Sequence, residues 1–152
     1  MITLRSLYNP RGHAAVEDVG FLYDLLRERE PEAAISHKTM PTVRAHTDFV
    51  NRQPYLAWYI VEAEGAPVGA IYITDRREVG IQIQQASRRK GYARQAILAL
   101  RGLHPGKLLA NVAPGNDRSH ALFRSMGGRV IQMTYELQPQ PRGESDGKST
   151  PP

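Results

Sequence analysis

The 152-residue chain contains no cysteine, which excludes disulfides and any metal or nucleophile site built on a thiol. That absence fits a reducing compartment. No apolar run approaches the roughly 18 residues that a membrane helix needs. No segment repeats another, so stacked-repeat architectures are excluded as well. The first eight residues, Met-Ile-Thr-Leu-Arg-Ser-Leu-Tyr, alternate as a strand does and lack the features of a signal peptide. A cytoplasmic protein without membrane contact is expected.

What is present is ordinary for a globular protein: 41% hydrophobic and 23% charged residues, in a chain long enough for one domain with a real core. The formal net charge of +5 favours an anionic partner, such as a phosphorylated cofactor or nucleic acid.

Periodicity and turn residues divide the chain into elements. Residues 2–8 read as a strand, closed by Asn9-Pro10-Arg11-Gly12. Residues 14–29 carry Val16, Val19, Leu22, Leu25 and Leu26 at helical spacing, and Pro31 stops them. Pro41-Thr42 opens a second helix that runs through Val50. Three strands follow at 56–63, 68–74 and 78–84, joined by short turns that make them antiparallel. A helix at 92–103, a strand at 107–112, a helix at 117–126 ended by Gly127-Gly128, and a strand at 129–137 complete the pattern. The order β-α-α-β-β-β-α-β-α-β predicts an α/β domain over residues 1–137, with a central mixed sheet. Residues 138–152 are polar and rich in proline and glycine, which predicts a disordered tail.

Residues 83–94, Ile-Gln-Gln-Ala-Ser-Arg-Arg-Lys-Gly-Tyr-Ala-Arg, hold the densest chemistry. Arg88, Arg89, Lys90 and Arg94 surround Gly91 where a strand turns into a helix. The first amides of a helix lack internal partners and sit at the positive end of its dipole. A glycine there lets the backbone approach a bulky anion. A solvated basic turn would read the same way.

The spacing Arg88-x-x-Gly91-x-Ala93 resembles the pyrophosphate-binding signature of the GNAT superfamily of acetyl-CoA-dependent N-acetyltransferases. A second match stands downstream. Asn116, Ser119, Leu122-Phe123 and Gly127 follow that family's Asn-x-x-Ser/Ala, apolar pair and closing glycine. Gly128 departs from the family's usual Gly-Phe. Taken from the residues alone, Asn116 is equally an N-cap, Ser119 a solvated polar residue, and Phe123 part of the core.

The resemblance implies a GNAT fold: a mixed, mostly antiparallel sheet with one splayed parallel pair, flanked by about four helices. It implies acetyl-CoA as co-substrate and no metal. The pantetheine arm would pair with the backbone of Ile81, Ile83 and Gln85. The pyrophosphate would lie against Arg88, Arg89, Lys90, Gly91, Tyr92, Ala93 and Arg94, with Asn116, Ser119 and Phe123 along the arm. The reaction implied is direct acetyl transfer to a primary amine in a ternary complex.

Such a transfer needs a base, because a primary ammonium is mostly protonated at pH 7. Glu78 lies close to where many members carry a catalytic glutamate, and shares a strand face with Gly80 and Gln82. The alternative for Glu78 is an exposed carboxylate paired with Arg76 or Arg77. His37, in the loop that overhangs the acceptor site in this family, is the second candidate base; a solvated loop histidine is its alternative. The family's usual acid, a tyrosine, is replaced by Phe123, which leaves Tyr135 or Ser119 for that role, or none. Glu28, Glu30 and Glu32 could attract a cationic amine; the alternative is a solvated helix end in which they alternate with cations. A small molecule such as an aminosugar is the expected acceptor, with a protein N-terminus or lysine second. An acyl-CoA sensor and a nucleic-acid-binding module remain as other readings, the latter disfavoured because the cations cluster at one helix start. The final strand offers an edge for a homodimer.

Overall fold

A computed structural model describes residues 1–29 and 39–143. The chain forms β1 (Ile2–Ser6), α1 (Val16–Arg27), α2 (Val43–Asn51), β2 (Ala57–Ala63), β3 (Ala66–Ile73) and β4 (Glu78–Ile83). A single 3-10 turn at Gln85–Ser87 leads to α3 (Tyr92–Leu103), β5 (Leu109–Ala110) and α4 (Asp117–Ser125). The sheet order is β1-β2-β3-β4-β5. Every pair is antiparallel except β4 with β5, which is parallel.

Strand alternation builds two cores, one on each side of the sheet. Val61, Ile71, Ile73, Val79 and Ile83 meet Ala96, Ile97 and Leu100 of α3. On the opposite face Trp58, Ile60 and Ala70 meet Leu22 and Leu25 of α1 and Val50 of α2. Ile60, Ile71, Ile73, Leu100, Val50 and Val61 are fully buried, each side chain contributing about 1.5–3 kcal/mol. Arg5 on β1 fastens α1 to this platform. Its guanidinium holds the buried Asp18 through two bonds of 2.8 and 2.9 Å and reaches Glu62 of β2 at 2.6 Å. These carboxylates hold the Arg5 pKa above its ordinary value, Asp18 most of all.

Local chemistry explains most boundaries. Thr42 caps α2 by accepting from the Ala45 amide at 3.1 Å. Glu64 and Gly65 both take positive φ, as a tight two-residue hairpin requires. Arg77 closes the β3–β4 turn with φ 67.

Two expected strands differ from the sequence reading. The strand expected over residues 107–112 pairs only at Leu109 and Ala110. The Arg77 guanidinium bonds the carbonyls of His104, Pro105 and Lys107, and the Arg77 carbonyl accepts from the Leu109 amide. The chain is therefore held outside the sheet until Leu109. The strand expected over residues 129–137 does not form: this stretch has no ladder partner among the described residues and is exposed throughout. A strand needs a neighbouring edge for its backbone groups, and periodicity alone does not supply one. Residues 138–143 are likewise exposed and irregular, and residues 144–152 of the expected tail lie outside the described residues.

Candidate active site

The parallel pair ends almost as soon as it begins, with Glu78 opposite Leu109 and Val79 opposite Ala110. Bonds from Thr74 N–H to the Glu78 carbonyl (2.9 Å) and from Gln84 N–H to the Val68 carbonyl (2.8 Å) turn the even-numbered peptide groups of β4 toward β3. The odd-numbered ones face the β5 side, where no strand of the described residues lies beyond Val79. The backbone of Ile81 and Ile83 thus borders a gap. The Ile83 carbonyl accepts from Arg88 Nε at 3.3 Å.

The gap leads to the start of α3. Gly91 takes φ 76 as the N-cap and offers no side-chain cap. The first intrahelical bond there is from the Gln95 amide to the Gly91 carbonyl, which leaves the amides of Tyr92, Ala93 and Arg94 without intrahelical partners. Arg89 also has positive φ, at 64. Left-handed positions on both sides of Lys90 make this turn a candidate anion-binding concavity. The side chains of Tyr92 and Ala93 pack on the α3 core while their amides stay at the rim. Arg89 and Lys90 are exposed. Arg94 reaches the Ser125 hydroxyl at 3.3 Å, which joins α3 to α4.

Asn116 caps α4: its Oδ1 accepts from the Ser119 amide at 3.3 Å. Its side-chain amide nitrogen is the donor left over for a ligand. Phe123 is half-buried against the α3 core. Gln85 departs from expectation, because its amide donates to the Glu28 carboxylate at 2.8 Å. That contact pins the end of α1 to the exit of β4, and Gln82 adds a bond from its side chain to the Leu25 carbonyl.

Glu78 begins β4 on the α1 side, in step with Gly80 and Gln82. Neither Arg76 nor Arg77 pairs with it among the described residues. The ring of Tyr72, opposite Gly80 in the register, covers Gly80 so closely that no Cβ fits there. Tyr72 therefore stands between Glu78 and Gln82. Tyr55 stacks on Tyr72 with centroids 3.8 Å apart and planes 4° from parallel, and Trp58 and Phe49 meet them edge-on. Burial pushes the Tyr55 hydroxyl pKa up, and the neighbouring Tyr72 adds to this. The sequence reading passed over Tyr55, Tyr72 and the role of Gly80. The β3–β4 register was the signal that would have found them.

On the same side, a cleft of about 380 Å³ is lined by Phe21, Asp24, Leu25, Arg27, Glu28 and Gln84. Asp24 and Glu28 are one helical turn apart, with Arg27 at 3.5 Å from Asp24. Tyr135 is 84% exposed on the irregular segment after α4 and joins neither gap nor cleft. His37, Glu30 and Glu32 lie outside the described residues. Among the described residues no group of three His, Asp or Glu side chains is arranged to hold a metal ion, and no helix is long and apolar enough to cross a membrane.

Comparison with known proteins agrees with this geometry. No curated protein matches the chain. A possible acetyltransferase from Clostridium difficile 630 superposes with a TM-score of 0.64 at 14% identity, covering 91% of this chain and 97% of that one. The aminoglycoside N-acetyltransferase AAC(6')-Iy in complex with CoA gives 0.64 at 17% identity, covering 92% and 95%. The ribosomal L7/L12 alpha-N-protein acetyltransferase RimL in complex with coenzyme A gives 0.62 at 14%, covering 82% and 77%. These identities establish a shared fold. The profile of the acetyltransferase (GNAT) family matches residues 6–127, from the end of β1 to the glycine after α4, and the chain belongs to that family.

Proposed function

We propose that the protein transfers an acetyl group from acetyl-CoA to a primary amine, with residues 1–137 as the catalytic domain. The observation that carries this reading is the backbone of Ile81 and Ile83, which no strand of the described residues pairs on the β5 side, followed by the α3 N-terminus at Gly91. A pantetheine arm has amides spaced to pair with such an edge as an added strand. The pyrophosphate would accept from the amides of Tyr92, Ala93 and Arg94, with Arg89 and Lys90 adding charge. Asn116 would donate to the arm.

In the transfer, the neutral amine attacks the thioester carbonyl, a C–N bond forms and the C–S bond breaks. The backbone at the open edge of β4 stabilises the oxyanion. Glu78 accepts the proton lost by the ammonium, directly or through water. The thiolate leaves without a dedicated acid on α4, since its conjugate acid near 8.5 already makes it a tolerable leaving group. Asp24 and Glu28 favour a cationic acceptor, and a small molecule with more than one amine, such as an aminosugar, fits an acidic cleft of this size. The reaction occurs within one ternary complex, in the cytoplasm.

Thermal unfolding with millimolar acetyl-CoA tests the donor half: a bound ligand raises the midpoint, and an unchanged midpoint overturns the proposal. Release of CoA with a panel of aminosugars, polyamines and peptides with free N-termini tests the acceptor half. Turnover with the peptides alone replaces the small-molecule acceptor by a protein. Binding without release from any amine replaces the enzyme by an acyl-CoA sensor.

A further inference from the structure

Tyr72 and Thr74 are two residues apart near the end of β3 and share one face. Across the ladder Tyr72 stands opposite Gly80, and the Thr74 hydroxyl accepts from the Glu78 amide at 3.1 Å. Glu78, Gly80 and Gln82 form one row on β4, and Tyr72 lies across its middle. A Cβ built on Gly80 would overlap Cζ, Cε1 and the hydroxyl oxygen of Tyr72. The missing side chain is thus a slot, and the phenol end of the ring fills it. The ring is braced in place. Tyr55 stacks on it with centroids 3.8 Å apart, and the buried Trp58, its partner in the β2–β3 ladder, meets it edge-on at 6.1 Å. Phenylalanine would fill the same slot without desolvating a hydroxyl, so packing alone does not account for a tyrosine here.

The position of that hydroxyl bears on the acetyl transfer proposed above, and the inference rests on that reading. The oxyanion would be held on the β5 side of β4, where the peptide group nearest Glu78 without a strand partner among the described residues is that of Ile81. Glu78 is three residues back, about 10 Å along the strand. A glutamate side chain covers less than half of that distance. A second group is therefore needed to carry a proton from the reacting nitrogen to the carboxylate. The side chain over the intervening Gly80 is Tyr72. Gln82, beyond it, is already committed, since its side-chain amide donates to the Leu25 carbonyl.

We propose that the Tyr72 hydroxyl is the proton relay between the acceptor amine and Glu78. The ammonium N–H bond breaks and its proton passes to the Tyr72 oxygen, while the proton already on that oxygen passes to the Glu78 carboxylate. Tyr72 ends as it began, Glu78 ends as the acid, and the nitrogen keeps the electron pair with which it attacks the thioester. Glu78 then returns its proton to solvent. Gly80 is part of the device, because only a residue without a Cβ admits the phenol to the row.

The test is a double-mutant cycle with Tyr72→Phe, Glu78→Gln and both together, assayed by CoA release with the fastest amine of the panel described above. Tyr72→Phe keeps the ring in its slot and removes only the hydroxyl. We expect kcat to fall about 10- to 100-fold, with KM for acetyl-CoA and for the amine within twofold of the parent. The double variant should be within about threefold of Glu78→Gln alone, because the two groups act on one proton and such losses do not add. An unchanged kcat in Tyr72→Phe overturns the relay. So do losses that multiply in the double variant, which would make Tyr72 a packing residue independent of Glu78. Calorimetric titration with CoA separates this failure from failure of the underlying reading. Retained CoA affinity and parental turnover, with no effect of Tyr72→Phe, overturn the relay alone. A parent chain that turns over no amine overturns both.

Discussion

The amide of Gln85 donates a 2.8 Å hydrogen bond to the carboxylate of Glu28, which stands 57 residues earlier at the end of α1. One side chain thereby borders both halves of the site: the backbone that follows β4 and the acidic cleft beside α1. It also sets an anion close to the path proposed for acetyl-CoA.

Glu28→Ala is therefore expected to act in opposite directions on the two substrates. Freeing the Gln85 amide and removing an anion should lower KM for acetyl-CoA about two- to fivefold, worth about 0.5–1 kcal/mol. Losing a carboxylate from the cleft should raise KM for a cationic amine by a similar factor. Steady-state kinetics with each substrate varied in turn will show the split. Two unchanged constants would leave Glu28 as a structural tie alone.

Gly91 stands in the left-handed region, with φ 76 at the N-cap of α3. Gly91→Val should lower stability by about 1–2 kcal/mol, the cost of the left-handed region for a residue with a Cβ. Affinity for CoA should fall about tenfold or more, because the branched side chain stands where the pyrophosphate approaches. Calorimetric titration with CoA checks this. A loss of stability with unchanged affinity would remove Gly91 from the binding loop.

Glu78→Gln keeps the shape of the side chain and removes its basicity. We expect kcat to fall about 100-fold or more, with KM for acetyl-CoA unchanged. Retention of kcat would assign the proton transfer to another group.

His46 is buried on α2 between the Val19 carbonyl, at 3.3 Å, and the ring of Tyr23. Burial pushes its pKa below the ordinary histidine value, and the bond to Val19 offsets part of that. The unfolded chain then binds the proton more readily than the folded one. Its contribution to stability is fully present above about pH 6.5 and is lost as pH falls below that, by at most about 1.4 kcal/mol per unit. Midpoints measured from pH 7.5 to 5 should decline, and His46→Gln should flatten the decline. An equally steep decline in that variant would assign it to other groups.

Elements whose boundaries are set by local chemistry were legible in the chain: Thr42 and Asn116 as caps, Gly91 and Gly127 at helix ends, Glu64-Gly65 in a hairpin. So was the turn into α3, because glycine and cations cluster within a few residues. Strands that depend on a distant partner were not. Residues 107–112 and 129–137 carry similar strand patterns, yet one is cut to two residues by Arg77 and the other pairs with no strand among the described residues. The Glu28–Gln85 contact and the Tyr72 ring over Gly80 arise from register and packing between separate elements, which periodicity along one segment does not encode. The proposed acceptor side was least legible for the same reason: its carboxylates come from α1 and its base candidate from β4.

The early end of the β4–β5 ladder has a meaning beyond the cofactor. Unpaired strand backbone is ordinarily a hazard, because any passing chain can extend the sheet. Here that backbone lies in the interior of the sheet order, with α3 packed on one face and α1 tied to the other through Gln82. A molecule that completes the sheet there must come from the β5 side, between those two layers. The same short β5 that leaves this backbone without a strand thus sets the side from which the sheet can be extended.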